Sequence, residues 1–423
     1  MGVRRLIDDC CGAGARLMPL PEALAIIDRD LVPLTAVETA PLWAALGRVL
    51  ADDVTAAVSL PPLPNSAMDG YAVRAADMAA DAETTLPVVA RQAAGQPLEG
   101  TPAPGGAVRI FTGAPMPEGF DAVVMQEEAE VLDDGARVRL PAGVKTGVNV
   151  RHAGEDVREG TVVLKRGTRL RAQDVAMAAA VGRAELPVGA PLRVAVFSTG
   201  DELRDPGEPL PHGCIYDANR QALKGMLAGL PVAVTDLGIL PDDPEAVRGA
   251  LSRAAPEHDV VVTSGGVSVG EEDHVRGAVE ALGAITFWRL RLKPGKPAAL
   301  GRIGETVFLG LPGNPVATIV TFLLIARPII LRLAGATDIA PRRFQVPADF
   351  RFEKKGGRRE FIRVQLATAE DGRTVARTLT GQGSHLISSV VNAHALAELE
   401  EDCPGVEPGD MLTVIPFPDT MAG

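Results

Sequence analysis

Residues 259–276 read DVVVTSGGVSVGEEDHVR, an apolar stretch that runs into a glycine- and serine-rich loop and then into an acidic helix start. Val260 to Thr263 are the β-branched residues of a buried strand. Ser264, Gly265, Gly266, Ser268 and Gly270 let the backbone turn tightly, so that amide N–H groups can face a bound anion. A helix beginning near Asp273 adds the positive end of its dipole. Asp273 would repel a bare phosphate there, so a divalent cation between the two is expected. Read alone, the same stretch also suits a plain strand-to-helix turn.

The flanking sequence extends this unit in both directions. Residues 191–335 alternate strands (LRVAVFS, VAVTDLG, DVVVTS, ITFWRLRL, TVFLGL) with helices (NRQALKGMLAG, DDPEAVRGALSRAA, DHVRGAVEALG and a long one after Asn314). Such alternation of apolar strands and helices predicts a mostly parallel sheet covered on both faces. Asp242 is placed to cap the helix of DDPEAV, with Pro244 in its first turn. On either side the character changes. Residues 1–32 read as a polar lead-in and a helix near Pro21–Asp30, and Val37–Ala57 has helical spacing at Leu42, Ala45, Leu46 and Leu50. Residues 61–147 hold short alternating runs (YAVR, LPVVARQ, AVRIFTG, DAVVMQEEAEV, ARVRL) and form a small β domain. It is read as an insertion between 33–60 and 148–190, two segments of one extended domain, the second carrying a helix over Arg171–Val181. Residues 336–423 return to strands (FRFE, EFIRVQLA, GRTVARTL, MLTVIPF), a second β domain. The fold class is multidomain α/β plus β.

Bulk properties exclude several functions. The 423 residues exceed one core, and the charges sum to 42 − 54 = −12, which speaks against a nucleic-acid surface. Aromatic residues are 4% of the chain, too few for base-stacking platforms. Its four cysteines form no C-x-x-C pair, so neither structural zinc nor a disulfide framework is expected. The longest apolar run, Val316–Ala326, closes at Arg327 and Pro328, short of the roughly 20 residues of a membrane span. With no signal-peptide pattern at the start, a soluble cytoplasmic protein is expected.

In an open parallel sheet, ligands bind at the carboxyl ends of the strands. Those ends carry Thr199-Gly200-Asp201-Glu202, the Gly/Ser loop, Arg289 followed by Lys293 and Lys296 in KPGKP, and Pro312-Gly313-Asn314-Pro315. Lysines supply point charges, glycine amides supply directed donors, and Glu202, Asp242 and Asp273 hold a metal or position water. Singly, Lys293 and Lys296 also suit a solvated turn, Glu202 a surface carboxylate and Asn314 a helix cap. Asp69, Thr112 and Asp156 lie in loops that glycine, aspartate and proline alone would explain, yet are short polar groups a loop could lend to a neighbouring site.

The motifs PLPNSAMDGYAVR, RIFTGAPMPEGFDAVVMQEE, NVRHAGED, STGDEL, IYDANR, TSGGVSVGEEDH, LKPGKP and GLPGNP occur in the order seen in MoeA-type molybdopterin molybdenumtransferases, and the chain resembles that family over about residues 15–415. The resemblance implies a molybdopterin-binding α/β domain, an extended linker-like domain, an inserted β domain and a C-terminal β barrel. It implies a homodimer with a shared active cleft, and a reaction of adenylylated molybdopterin with molybdate that yields molybdenum cofactor and AMP with Mg2+. Molybdopterin adenylyltransferase and molybdoenzyme chaperones are the implied hand-over partners. Asp69, Thr112, Asp156, Glu202, Asp242 and Asp273 are the implied catalytic positions, Asp242 and Asp273 also holding the metal. Thr199, Gly200, Asp217, Asn219, Ser264, Gly265, Gly266, Ser268, Arg289, Lys293, Lys296, Gly313, Asn314, Arg363 and Ser384 are the implied substrate contacts. The chain departs from the pattern at Arg289, where lysine is common, at Ala317, where serine is frequent and Thr318 is the hydroxyl that could compensate, and at Pro64, where aspartate is usual. A molybdopterin adenylyltransferase and a gephyrin-type scaffold are the rival readings.

Overall fold

A computed structural model describes residues 17–96, 98–266 and 274–417. At its centre is a six-stranded sheet of β1 (Leu192–Thr199), β2 (Val232–Leu240), β3 (Val260–Ser264), β4 (Gly283–Arg289), β5 (Pro297–Ile303) and β6 (Thr306–Leu311). The spatial order is β2-β1-β3-β6-β5-β4. Strands β2, β1, β3 and β6 are parallel. Strand β5 runs against both β6 and β4, and sequence patterning misses it. Its residues, PAALGRI, include two alanines and a glycine, which are weak strand formers, and pairing on both sides makes the strand.

Alternation along β3 explains how both faces are covered. Val260 and Val262 join the apolar cluster of helix α1 (Ala218–Ala228) and the long helix α4 (Pro315–Leu333). Val261 faces the other way, onto Val247 and Leu251 of α2 (Pro244–Ala254) and Val275 and Val279 of α3 (His274–Leu282). Helix α4 does not stop at Arg327–Pro328 as the apolar run suggests. Pro328 has no N–H for the helical ladder, and a π-helical turn over Phe322–Ala326 loosens the ladder just before it, so the helix continues to Leu333. By length and composition α4 could cross a membrane, but its apolar window is 94% buried inside the protein, so it is a core helix.

The remaining elements are arranged around that sheet. Helix Leu20–Asp30 buries Leu20, Ala23 and Ile27 in the same core as α4. The helical reading of Val37–Ala57 is largely overturned. Val37–Pro41 is a strand paired antiparallel with Glu185–Gly189, and only Leu42–Ala45 is helical. Val54–Thr55 pairs with Val162–Leu164, and Asn65–Ser66 with Val150–Arg151, so each paired strand closes a long chain loop. Between them lies a six-stranded sheet of residues 70–140. The C-terminal sheet holds Phe344–Pro347, Arg359–Thr368, Thr374–Thr378, Ala395–Leu399 and Met411–Pro416, with Leu292–Lys293 at one edge. A bridge between Ala348 and Ala376 joins its far side back to Thr374–Thr378. Its Phe361, Leu396 and Ile415 share the apolar cluster of α4, so this sheet is packed on the α/β domain across a common core.

Candidate active site

Strand order reverses between β1 and β3, and the crevice outside their carboxyl ends is where ligands enter such sheets. Ser198 and Ser264 sit side by side there, both buried, and neither hydroxyl oxygen has a partner among the described residues. Buried hydroxyls without partners cost stability and suit a site that a ligand completes. Gly266 follows with φ +63°, and a Cβ on it would fall 2.7 Å from Val275 Cγ2. The turn therefore needs glycine. Gly265 donates its amide to the Leu311 carbonyl (3.0 Å), so this amide is spent on the sheet and is not aimed at an anion. Ser268 and Asp273 lie outside the described residues, as does the side chain of Arg289.

At the next strand end the two aspartates of DDP divide their work differently from expectation. Asp243, not Asp242, caps α2: its Oδ1 accepts the Ala246 amide at 2.8 Å. Asp242 is thereby released, and its Oδ1 accepts from Thr199 Oγ1 at 3.0 Å at the end of β1. Asp201 lies beside it, its Oδ1 3.4 Å from the Asp242 amide. Gly200 (φ +147°) brings Glu202 back over this turn, and a Cβ at Gly200 would sit 2.5 Å from Glu202 Oε2. Asp217 caps α1 through the Arg220 amide and ion-pairs with the buried Arg220, so its carboxylate is committed to the fold. Asn219 donates to the Gly313 carbonyl at 2.7 Å and ties α1 to the PGNP turn.

Facing the Gly265–Gly266 turn across a cleft of about 580 Å³ are Lys293, Lys296, Arg358, Glu360, Arg363, Gln382 and Ser384. The two walls come from different sheets, and Lys293 belongs to the C-terminal one. ITFWRLRL is not one strand: the chain leaves the α/β sheet after Arg289, and Leu292–Lys293 pairs in parallel with Arg359–Glu360. Lys293 Nζ then reaches Glu360 Oε1 at 2.7 Å, a half-exposed ammonium on a buried carboxylate. Arg363 is 1% exposed. Its Nε donates to Ser389 Oγ (3.1 Å) and its Nη2 to the Gly383 carbonyl (3.3 Å). Burial pushes the Arg363 guanidinium down to about 10, with the Glu360 charge pulling the other way. Gln382 clamps the Arg363 backbone, accepting its amide and donating to its carbonyl, both at 2.9 Å.

Asn314 stands at the start of α4 without making a capping bond, and its exposed side chain lines the cleft. The Ser384 carbonyl instead accepts the Val316 amide of that helix at 3.0 Å. Ala317 also lines the cleft. Thr318 does not replace the missing serine hydroxyl: it is wholly buried and its Oγ1 points at the carbonyls of Pro312 and Asn314 (2.5 and 3.0 Å). Glu360, Arg358 and Gln382 are the cleft residues that sequence reasoning missed. The charged triplet Arg358-Arg359-Glu360 directly before Phe361-Ile362-Arg363 was the available signal.

Asp69, Thr112 and Asp156 do not line this cleft. The first two meet each other, the Thr112 amide and hydroxyl both donating to Asp69 Oδ1 at 2.8 Å, which holds Asp69 below the usual carboxylate range. Asp156 is exposed in a turn anchored by its amide on the Leu60 carbonyl. All three sit near the base of the inserted sheet, where Asn65–Ser66 pairs with Val150–Arg151.

A crevice at the strand ends of an α/β domain, joined to a cationic pocket from a β domain, defines a class of proteins built to hold anionic ligands. Three family models match along the chain: MoeA N-terminal region (domain I and II) over residues 18–182, a probable molybdopterin binding domain over residues 195–332, and MoeA C-terminal region (domain IV) over residues 345–417. A molybdopterin molybdenumtransferase of Haemophilus influenzae is 40% identical over 402 residues, 95% of this chain and 99% of that protein. A molybdopterin molybdenumtransferase 2 of Mycobacterium tuberculosis is 36% identical, covering 89% of this chain and 94% of that one. The crystal structure of the molybdopterin biosynthesis moeA protein from Pyrococcus horikoshii OT3 superposes with a TM-score of 0.80 at 30% identity, covering 95% of this chain and all of that one. The chain belongs to the molybdopterin molybdenumtransferase family.

Proposed function

We propose that this enzyme joins adenylylated molybdopterin and molybdate, releasing AMP and molybdenum cofactor, in the cytoplasm and as a homodimer. The observation that carries the reading is the composition of one cleft: the Gly265–Gly266 turn on one wall, and four cations against a single carboxylate among its lining residues. That balance suits a phosphate and a tetrahedral dianion held together. Ser264, Gly266 and Asn314 orient the phosphoanhydride, while Lys293, Lys296, Arg363 and Ser384 hold molybdate beside the dithiolene. When water adds to the adenylyl phosphorus, the bond from that phosphorus to the bridging oxygen breaks. The oxygen leaves on the molybdopterin phosphate, AMP carries the incoming oxygen, and the cations offset the charge on both products from fixed positions. Asp242 and Asp201 are neighbours at the β1–β2 edge, the Asp201 carboxylate resting on the Asp242 amide, and carboxylate oxygens completed by substrate phosphate and water are what magnesium accepts. Magnesium bound there would supply neutralisation of pyrophosphate charge. Because Asp69, Thr112 and Asp156 stand away from the cleft of their own chain, a partner subunit's inserted domain is the proposed source of those groups.

The test is incubation with adenylylated molybdopterin and molybdate, following AMP by chromatography and cofactor by reconstitution of an apo-molybdoenzyme. AMP release coupled to reconstitution is expected. No AMP from the adenylylated substrate, with formation of that substrate from molybdopterin and ATP instead, would sink the reading in favour of an adenylyltransferase. The division between neighbouring aspartates adds a sharper expectation. Asp243→Ala should lower stability by about 1 kcal/mol through the lost helix cap and leave turnover intact, whereas Asp242→Ala should leave the melting point near wild type and depress AMP release. Thermal unfolding and the AMP assay on both variants check this.

A further inference from the structure

We propose that Arg358 is an additional oxyanion-binding residue of the cleft, gripping two oxygens of a phosphate or of molybdate; this rests on the functional reading above. The argument starts from what the other lining cations already do. Lys293 is held by Glu360 at 2.7 Å, and Arg363 donates to Ser389 and Gly383. Lys296 is exposed, where a hydrated lysine needs no protein partner. Arg358 differs from all three. It is half-buried and lines the cleft, and its guanidinium has no hydrogen bond or ion pair among the described residues.

Its surroundings are nevertheless firm. The Gly357 carbonyl accepts Arg291 Nε at 2.6 Å, and the Arg359 amide donates to the Arg291 carbonyl at 2.9 Å. The Arg359 guanidinium is tied to Glu398 and Glu401 at 2.6 and 3.1 Å. Nearby carboxylates are therefore engaged elsewhere: Glu360 with Lys293, Glu398 with Arg343 and Arg359, Glu401 with Arg359. A partly desolvated cation on a pinned backbone, with the neighbouring anions taken, is a donor set waiting for an external anion. The planar fork of a guanidinium matches two oxygens of a tetrahedral oxyanion, a shape that phosphate and molybdate share.

The test uses the full chain and two separate calorimetric titrations, one with AMP and one with molybdate, on wild type, Arg358→Ala and Arg358→Lys. Wild type is expected to bind both. Arg358→Ala should weaken one or both by at least about tenfold, the loss of a charge-assisted hydrogen bond, and the arm affected identifies the oxyanion held. Arg358→Lys, which keeps the charge and loses the fork, should recover only part. The thermal midpoint should stay at the wild-type value, since the side chain has no protein partner to lose. Equal affinities for wild type and Arg358→Ala in both arms would overturn the proposal and leave the functional reading standing. A midpoint that falls together with affinity would also overturn it, because Arg358 would then act through the fold. A wild type that binds neither ligand would overturn both.

Discussion

Arg363→Met is expected to melt at a higher temperature than wild type and yet to lose molybdenum insertion almost completely. Among the described residues Arg363 is the largest fully buried side chain, and its guanidinium hydrogen bonds there go to a neutral hydroxyl and a carbonyl. A guanidinium in that position is charged at neutral pH at a desolvation cost, which is why burial pulls it down to about 10. Replacing buried charge by an apolar side chain of similar volume is commonly neutral or stabilising by about 1–4 kcal/mol, and methionine adapts to an irregular space. Ser389 Oγ keeps its bond to the Leu386 carbonyl at 2.6 Å, so the change strands little. Activity should move the opposite way. A charged donor to a dianion contributes up to about 3 kcal/mol, or roughly 100-fold in kcat/KM.

The pH dependence follows from the same group. Below about 10 the guanidinium is protonated in native and unfolded chains alike, and the burial cost is fully present. Above about 10 the native state loses its proton while the unfolded chain, whose guanidinium titrates higher, keeps it, so stability from this group rises with pH. Molybdate affinity should fall through the same window, because the cation that binds it is being lost. Thermal unfolding and molybdate titrations from neutral pH upward measure both. An Arg363→Met protein that melts lower and keeps its turnover would remove Arg363 from the site.

Arg220→Leu is expected to cost about 3–5 kcal/mol, the loss seen when one partner of a buried ion pair is removed. Arg220 is 3% exposed. It binds Asp217 Oδ2 at 3.0 Å and Asp236 Oδ1 at 2.6 Å, and its Nη2 also pairs with Asp205. Without it three carboxylates remain close together, one of them the 2%-exposed Asp217. Burial alone would raise Asp236, but the bonds from Lys224, Arg220 and the Gly238 amide outweigh it and hold Asp236 at about 2. Its folded pKa is thus depressed, so its contribution is present above the ordinary 3.8 and is lost as pH falls through about 2. In Arg220→Leu that margin shrinks, and acid unfolding should begin at higher pH. Turnover should fall too, since Asp205 anchors the loop that follows Glu202, and α1 carries Asn219 to the Gly313 carbonyl. Denaturant unfolding within about 0.5 kcal/mol of wild type would mean the cluster is solvated and contributes little.

Elements with strong local signals were legible. The apolar strands β1, β3 and β6 and the helices α1 to α3 follow directly from the sequence, because their burial pattern is written in their own side chains, while the edge strand β2 follows from its β-branched residues although none of it is buried. Strands with weak local signals were not. Ala395–Leu399, every residue of it buried, reads ALAEL, a helix-favouring string that becomes a strand because Arg359–Thr368 and Met411–Pro416 pair with it on both sides. The cap of α2 was misassigned between adjacent aspartates, since a one-residue shift in where a helix starts lies beyond composition.

For the site, much of the chemical inventory was contained in the chain order: the glycine turn, KPGKP and PGNP each announce a binding group by residue type and local geometry, whereas Arg363 in EFIR was implied by the family resemblance alone. Which of them face one another depended on the third dimension. Lys293 reaches Glu360 through a two-residue pairing between sheets, Arg363 enters the cleft only because the C-terminal sheet shares a core with α4, and Asp69 stays with Thr112 away from it. Local propensity and spacing act over a few residues. The meeting of distant segments is decided by which apolar faces can be buried together, and that is a property of the packed chain as a whole.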